Sequence, residues 1–591
     1  MRPVLPLVFL SALLWAPSPI LAQGSVAGPD SGMTSQTKDE PGAPAHPRGD
    51  RTPGKAPDEP GRVAGPSAAG EGGRVDADCE HPGGGADGAA AAGEGAARGD
   101  PRADRARCRK LTDADIATAP IVEVRRVTHH RAVIAGRPMD YTATAGTLTL
   151  RDDEGKPTAS MFYVAYTAGD PRRPVTFFYN GGPGSSTLWL HMGSLGPMRV
   201  RTDSPASTHN APFDLSDNNE SLLDKSDLVF LDAIGAGFSR PLGDTKLAAF
   251  WGTDPDIDAF ARGIERYLTI NARWNAPKFI FGESYGTTRS AGLSYRLQQD
   301  GVQLNGVVLL SSILNYGRRD PGFDQELINY MPSYAAAGAY HNRLATPPTD
   351  LPAFLREVRD WARGPYALAL AKGQDLGDAE RRSIAAQMSA YTGLSPAFIL
   401  ENDLRVTPGR FRKELLRDQR LTLGRYDDRF TGADVDAAGE TPEYDPSDTG
   451  ISGAFVAAFH DYLARDLDYQ TDLSYRPTYY SAGLSWDFRH RAPSDRGPGA
   501  TNEADVALDL SAAMRENPHL LLYSLNGIYD LATPFFGTEY DLGHMQLGPA
   551  LRGNVRFAYY PSGHMVYLNP EALKAMKADL ARYYDEASPP R

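Results

Sequence analysis

The sequence predicts an α/β fold, with a central mixed, mostly parallel sheet and a mainly helical cap insertion. Three observations carry this. Short, almost continuously apolar runs recur at Val175–Tyr179, Leu228–Leu231, Phe279–Phe281, Val307–Leu310, Leu520–Tyr523 and Val555–Tyr560. Runs of that kind suit parallel strands covered on both faces. Helical patterns lie between several of them, and from about Tyr316 to Ala500 the strand rhythm gives way to helix-prone sequence rich in Tyr and Arg.

The elements follow in order. Residues 1–22 carry a basic start at Arg2, an apolar run from Val4 to Trp15 and a small-residue exit at Ala22. That pattern reads as a secretory signal peptide, too short for a comfortable membrane span. Residues 23–115 are dominated by Gly, Ala, Pro, Arg and Asp, with few aromatic or branched side chains. Such a stretch buries too little apolar surface to offset its ordering entropy, so it reads as a disordered linker. Both cysteines of the chain, Cys79 and Cys108, fall inside it, and neither is expected to shape the folded body.

The folded part begins with the first half of the core, residues 116–316. Ile121–Val127, Arg131–Ile134, Thr147–Arg151 and Met161–Tyr166 are separated by Gly, Pro and Asp turn signals and suggest an antiparallel front meander. Asp254 is expected to cap a helix reaching Leu268, and Asn569-Pro570 to open another reaching Tyr583. Residues 317–500 form the helical insertion, with helices expected over Leu351–Arg363 and Asp378–Tyr391; residues 501–591 complete the core. In open α/β sheets ligands sit beyond the carboxyl ends of the strands, so this insertion would roof the site.

The chemistry centres on Gly282-Glu283-Ser284-Tyr285-Gly286, directly after the apolar run Lys278–Phe281 and before a helix-compatible segment from Thr287 to Leu297. Glycines two residues either side of a serine permit a strained strand-to-helix turn that lifts the hydroxyl clear of the sheet. In a chain with 59 glycines the pentapeptide is a weak signal by itself. It gains weight from chain order, because the serine is followed by an acid and then a histidine at later strand ends. Asp530 follows the strand ending near Leu525, and His564 follows the strand ending at Tyr560. A nucleophile, a base and an orienting acid in the order Ser, Asp, His suit acyl transfer in this architecture. Asn180-Gly181-Gly182-Pro183-Gly184, at the end of the run closing on Tyr179, stands where backbone N–H groups can face a developing oxyanion.

Asn180–Gly184, Ser226–Asp232 with Gly235–Ser239, Gly282–Gly286, Asn526–Thr538 and Gly563–Met565 together resemble the serine carboxypeptidase family, in a bacterial-type version, over roughly Val175 to Lys577 excluding most of the insertion. The resemblance implies an α/β-hydrolase fold with Ser284 as nucleophile, His564 as general base and then acid, and Asp530 as its orienting partner. It implies an oxyanion hole from the N–H groups of Gly182 and Tyr285. It further implies that Asn180, Gly181 and Glu283 hold a substrate's C-terminal carboxylate, while Met565 lines the leaving-residue pocket. Glu283 could accept a carboxylate only if one of the two is protonated, which points to binding at acidic pH.

Two positions depart from the family's pattern. The cysteine usual after the Gly-Gly-Pro-Gly run is Ser185 here, and the second glutamate usually paired with the one beside the serine is Ser194. Losing that carboxylate removes like-charge repulsion expected to raise the pKa of Glu283. His191, nearby, could offer another carboxylate contact or simply pack.

The expected activity is therefore that of a secreted serine carboxypeptidase acting through an acyl-enzyme on peptide or protein C-termini, in the periplasm or outside the cell. The alternatives are an esterase or acyltransferase using the same triad, and a non-catalytic binding protein on the hydrolase scaffold. The net charge of −13 and the lack of a basic stripe argue against nucleic acid as a partner. No cofactor, no metal and no lasting membrane insertion are expected.

Overall fold

The computed structural model describes residues 121–319, 322–479, 485–493 and 502–588. The expected signal segment, the whole of the expected linker, and both cysteines lie outside these residues.

A ten-stranded sheet organises the molecule. Its strands are β1 (Arg125–Ile134), β2 (Arg137–Arg151), β3 (Pro157–Thr167), β4 (Val175–Tyr179), β5 (Asp227–Leu231), β6 (Arg240–Pro241), β7 (Lys278–Glu283), β8 (Gly306–Leu310), β9 (Leu521–Gly527) and β10 (Val555–Tyr560). They lie in the order β1-β2-β3-β5-β4-β7-β8-β9-β10, with β6 beside β3. From β5 to β10 every neighbour is parallel; β1, β2, β3 and β5 pair antiparallel. Strands β4, β5, β7 and β8 are buried at every position, as their unbroken apolar runs require.

The front meander differs from expectation. Two anticipated short strands merge into β1, and β2 begins ten residues earlier than its apolar run. Thr128-His129-His130 does not break β1, because the outer face of an edge strand tolerates polar side chains while its ladder to β2 runs unbroken from Arg125↔Gly146 to Ile134↔Arg137. The hairpin closes through Ala135-Gly136, both at positive φ (50° and 74°), the twist that two-residue hairpin turns favour.

Helices cover both faces: α1 (Leu188–Gly193), α2 (Thr253–Ile270), α3 (Tyr285–Gln299), α4 (Gln325–Tyr340), α5 (Leu351–Trp361), α6 (Asp378–Thr392), α7 (Pro446–Arg465), α8 (Ala507–Glu516), α9 (Phe535–Gly543) and α10 (Pro570–Ala587). One face packs Phe177, Ile280, Leu309 and Leu522 against α2, α3 and α8. The other packs Phe178, Phe230, Phe281 and Leu310 against α7 and α10. Asn569 caps α10 by accepting from the N–H groups of Glu571 and Ala572. Asp254 does not cap α2. Gly252 holds that place, and Asp254, inside the first turn, accepts from His490 Nδ1 at 2.5 Å and from the Arg491 N–H at 3.2 Å.

Within the insertion, α4, α5 and α6 share a separate core around Met331, Tyr334, Val358, Met388 and Phe411, whereas α7 joins the core of the sheet. It also contains an unanticipated hairpin, Leu421–Leu423 with Thr431–Ala433. The intervening residues, 424–430, form a strap laid across the loops after β9 and β10. Arg425 O accepts from Leu531 N at 3.0 Å, Tyr426 O from His564 N at 2.6 Å, and Asp428 N donates to Tyr529 O at 3.0 Å. This is the α/β-hydrolase arrangement with a helical cap. No described helix is long and apolar enough to cross a membrane.

Candidate active site

Ser284 sits between β7 and α3 with φ 60° and ψ −130°, a left-handed conformation costly for a residue with a Cβ. Its N–H donates to Leu310 O at 3.0 Å, and its carbonyl accepts from Thr287 N at 2.8 Å, which pins the turn on both sides. The flanking glycines are obligatory. A Cβ on Gly282 would collide with the Gly286 carbonyl, and one on Gly286 would stand 2.7 Å from Tyr179 O. The elbow and the Asn180–Gly184 loop therefore touch backbone to backbone. A Cβ on Gly181 would meet the Tyr285 nitrogen.

His564 and Asp530, predicted from separate strand ends, meet directly. His564 Nδ1 lies 2.7 Å from Asp530 Oδ2, and both side chains are buried. Asp530 is held by four donors: Oδ1 accepts from the N–H groups of Ala532 (2.7 Å) and Thr533 (3.0 Å), while Oδ2 accepts from the Thr533 hydroxyl (2.8 Å) and faces His564. Burial alone would lower the pKa of His564. The charges of Asp530 and Glu283, with the Asp530 hydrogen bond, outweigh it, and the net shift is upward.

Glu283 is buried directly beside the serine. Asn180 Nδ2 donates to its Oε2 at 2.9 Å, and the Tyr567 hydroxyl donates to the same oxygen at 3.0 Å. Burial pushes its pKa up to about 7, against the pull of the His564 charge and these two hydrogen bonds. Asn180 Oδ1 in turn accepts from Leu190 N at 2.9 Å, which locks the amide orientation. Tyr567 escaped the sequence reading. Its place two residues after Met565, in the loop that carries His564, was the available signal.

The positions that depart from the family pattern are structural here. The Ser194 hydroxyl donates to Leu190 O at 2.5 Å, within the α1 turn. His191 packs: it stacks on Phe230 with centroids 4.4 Å apart, its Nε2 is 2.5 Å from the Tyr166 hydroxyl, and burial lowers its pKa to about 3. Ser185 Oγ accepts from Trp189 Nε1 at 3.2 Å. Of the other quoted motifs, Asp232 anchors α1 by accepting from Thr187 N at 2.8 Å, and Ser239 Oγ accepts from Phe162 N at 2.8 Å.

A second missed group supports the loop from below. Arg289 of α3, fully buried, pairs with Asp256 of α2 (2.7 and 3.2 Å) and donates to Asn180 O at 2.8 Å, its guanidinium 4.1 Å from the Phe260 ring centroid. In a helix that also carries Thr287, Thr288, Ser290 and Arg296, nothing local set Arg289 apart in the sequence.

These groups open on one cavity of about 530 Å³, whose walls include Asn180, Gly181, Gly182, Glu283, Ser284, His564 and Met565. Tyr285 presents its backbone beside Gly181 while its side chain is buried beneath. A nucleophile on a strained turn, a buried His–carboxylate pair and glycine backbone at one cavity wall can support acyl transfer. Among the described residues no group of three or more His, Cys, Asp or Glu could hold a metal ion.

A family model described as serine carboxypeptidase matches residues 136–316. The retinoid-inducible serine carboxypeptidase of Rattus norvegicus is 28% identical over 195 residues, 29% of this chain and 38% of that protein. A serine carboxypeptidase of Dictyostelium discoideum is 26% identical over 168 residues, 28% of this chain and 38% of that protein. The chain thus spans 38% of the length of these curated relatives. Among solved structures, a prohormone-processing carboxypeptidase from Saccharomyces cerevisiae shows a TM-score of 0.41 at 16% identity, covering 75% of this chain and 91% of that one. The matched segment holds the Asn180–Gly184 loop and the Ser284 elbow but ends before Asp530 and His564. Over these segments the chain is similar to serine carboxypeptidases.

Proposed function

We propose that the protein is an exported serine carboxypeptidase that removes C-terminal residues through an acyl-enzyme. The observation that carries this reading is the placement of the Glu283–Asn180 pair, next to Ser284, in the cavity that also admits His564. In the proposed reaction His564 takes the Ser284 proton as Oγ attacks the scissile carbonyl carbon. The tetrahedral oxyanion rests against the N–H groups of Gly182 and Tyr285, and Asp530 steadies the imidazolium. His564 then passes the proton to the leaving nitrogen, the C–N bond breaks, and water repeats the sequence to release the acid and free Ser284.

Protonated Glu283, with Asn180 and the Gly181 N–H, would receive the substrate's terminal carboxylate, and Met565 would border the leaving residue. Peptide and protein C-termini are the proposed partners. Export follows from the reading of residues 1–22, and the division into linker, two-part core and cap follows the boundaries given above.

The test is release of free amino acid from a peptide and from the same peptide with a C-terminal amide, by wild type and Ser284→Ala. Release from the free acid alone, absent in the variant, is the expected result. Equal cleavage of both peptides would overturn the exopeptidase reading and favour an esterase or acyltransferase. Failure of a fluorophosphonate to label wild type would point to a non-catalytic binding protein.

A further inference from the structure

The cavity around Ser284 is electrically lopsided. At its Glu283 end stand Trp189 and Met565. A Cβ on Gly193 of α1 would lie 2.6 Å from the Tyr567 ring and 2.9 Å from Phe455, which places the middle of α7 against Tyr567; Asp448 also lines the cavity, in the first turn of α7, next to Asp445 and Ser447, which accept from the N–H groups of Arg425 and Tyr426. The opposite end is built from Tyr316 and Phe488, 4.6 Å apart by centroids, with Tyr316 6.4 Å from the Tyr285 ring. Two cations line it, Arg319 and Arg425.

The two cations are not equivalent. Arg319 is ion-paired with Glu326 at 2.9 Å and donates to Ala532 O at 3.2 Å. Its neighbour Arg318 pairs with the same Glu326 and with Asp541, so two cations face two carboxylates and their charge is balanced. Arg425 lies on the exposed side of the strap, and among the described residues its guanidinium has no carboxylate within ion-pairing distance; it lies 5.5 Å from the Tyr426 ring centroid. Its backbone is fixed at both ends, N–H to Asp445 Oδ1 at 2.9 Å and carbonyl to Leu531 N at 3.0 Å. From there its charge reaches both Tyr316 and His564.

We propose that this end of the cavity receives an acidic side chain on the acyl side of the scissile bond, and that Arg425 pairs with it. The assignment of ends rests on the carboxypeptidase reading, in which Glu283 marks the side of the leaving residue. A glutamyl or aspartyl side chain beside Tyr316 would give Arg425 the carboxylate it lacks among the described residues, with a planar fork suited to bidentate pairing. A lysyl side chain there would face an unpaired like charge.

The full chain is assayed on N-blocked dipeptides ending in leucine, with Glu, Gln or Lys at the penultimate position, and on p-nitrophenyl esters of the same N-blocked residues. The expected kcat/KM order is Glu over Gln by about tenfold, Lys lowest, with the Glu preference shrinking as salt is raised. Arg425→Gln brings the Glu-to-Gln ratio near one, Arg425→Lys keeps part of it, and Arg425→Glu turns the order toward Lys. A ratio near one in wild type on both substrate sets, or a ratio unchanged in Arg425→Gln, overturns the inference. Turnover of the esters with the Glu preference, but no release of leucine, sinks the carboxypeptidase reading and leaves the acidic subsite standing. Turnover of neither set overturns both.

Discussion

The Tyr567 hydroxyl donates to Glu283 Oε2 at 3.0 Å, and both side chains are buried beside Ser284. This contact bears on the question raised by Ser194. In the sequence, losing the usual acidic partner there removes one reason for Glu283 to hold a proton. The structure supplies another: burial itself carries the Glu283 pKa up to about 7, while Tyr567 and Asn180 only moderate it. A neutral Glu283 at mildly acidic pH therefore needs no second carboxylate.

The first prediction concerns pH. Below about 7 Glu283 is neutral and can accept a peptide carboxylate; above it, two negative charges would face each other. His564 must be neutral to act as base, so its raised pKa sets the acid limb. Free-acid peptides should show a bell-shaped kcat/KM profile, and C-terminal esters should lack the alkaline fall. In Glu283→Gln the alkaline limb disappears. The acid limb stays nearly in place, because Glu283 is already neutral over the pH range in which that limb is read. Profiles from about pH 4 to about pH 9 check both limbs; an alkaline fall that persists in Glu283→Gln contradicts the role given to Glu283.

A second prediction concerns Thr533, whose hydroxyl lies 2.8 Å from Asp530 Oδ2, 2.9 Å from Ser311 O and 3.1 Å from His564 Nδ1. Thr533→Val keeps the shape and removes the donor. Asp530 then has fewer hydrogen bonds and holds the imidazolium more strongly, so the acid limb should move to higher pH. With the ring less well oriented, kcat should fall about tenfold at little change in KM. A fall confined to KM would place Thr533 outside the support of His564.

Much of this was legible in the sequence because the strongest constraints are local. The Gly282–Gly286 pattern demands a positive φ at Ser284, and that is the observed turn. The runs at Val175–Tyr179 and Val555–Tyr560 match strands β4 and β10 residue for residue. What escaped depends on tertiary packing. Tyr567 reads as one more aromatic residue until the fold brings it to Glu283, and Arg289 reads as an ordinary helix residue until Asp256 and Asn180 surround it. The strap was invisible because Leu421–Leu423 and Thr431–Ala433 are too short to show a strand period. His191 could be read as ligand or packing, and its stacking on Phe230 decides for packing.

The strap leads to a third prediction. A Cβ on Gly563 would collide with the Tyr426 carbonyl and with Asp427, both part of residues 424–430. Because the collision involves backbone, it cannot be relieved by turning a side chain. Gly563→Ala should destabilise the protein by about 1–3 kcal/mol and lower kcat more than tenfold, since Tyr426 O and the His564 N–H must part. Gly553→Ala is the matched control: nothing lies within 4 Å of its Cβ, and its φ of −67° suits any residue. Thermal unfolding and steady-state rates on both variants separate the cases, and equal behaviour would contradict the role given to the strap.

The strap also carries Asp428, buried, with no hydrogen-bond partner for either carboxyl oxygen among the described residues. Burial holds its pKa well above the usual carboxylate range. The charges of Asp427 and Asp530 add to the rise, while Arg429, itself paired with Asp427 at 2.6 Å, opposes it. The linkage sign follows. An acid whose pKa is higher in the folded chain binds its proton more tightly there, so folding weakens as pH rises above the unfolded value of about 3.9. Asp428→Asn removes this dependence. It should raise Tm at about pH 8, with a gain on the order of 1–3 kcal/mol, and change little near pH 4. Loss of stability at the higher pH would mean that the carboxylate is charged and satisfied in the folded protein, and an equal shift at both pH values would trace the effect to packing alone.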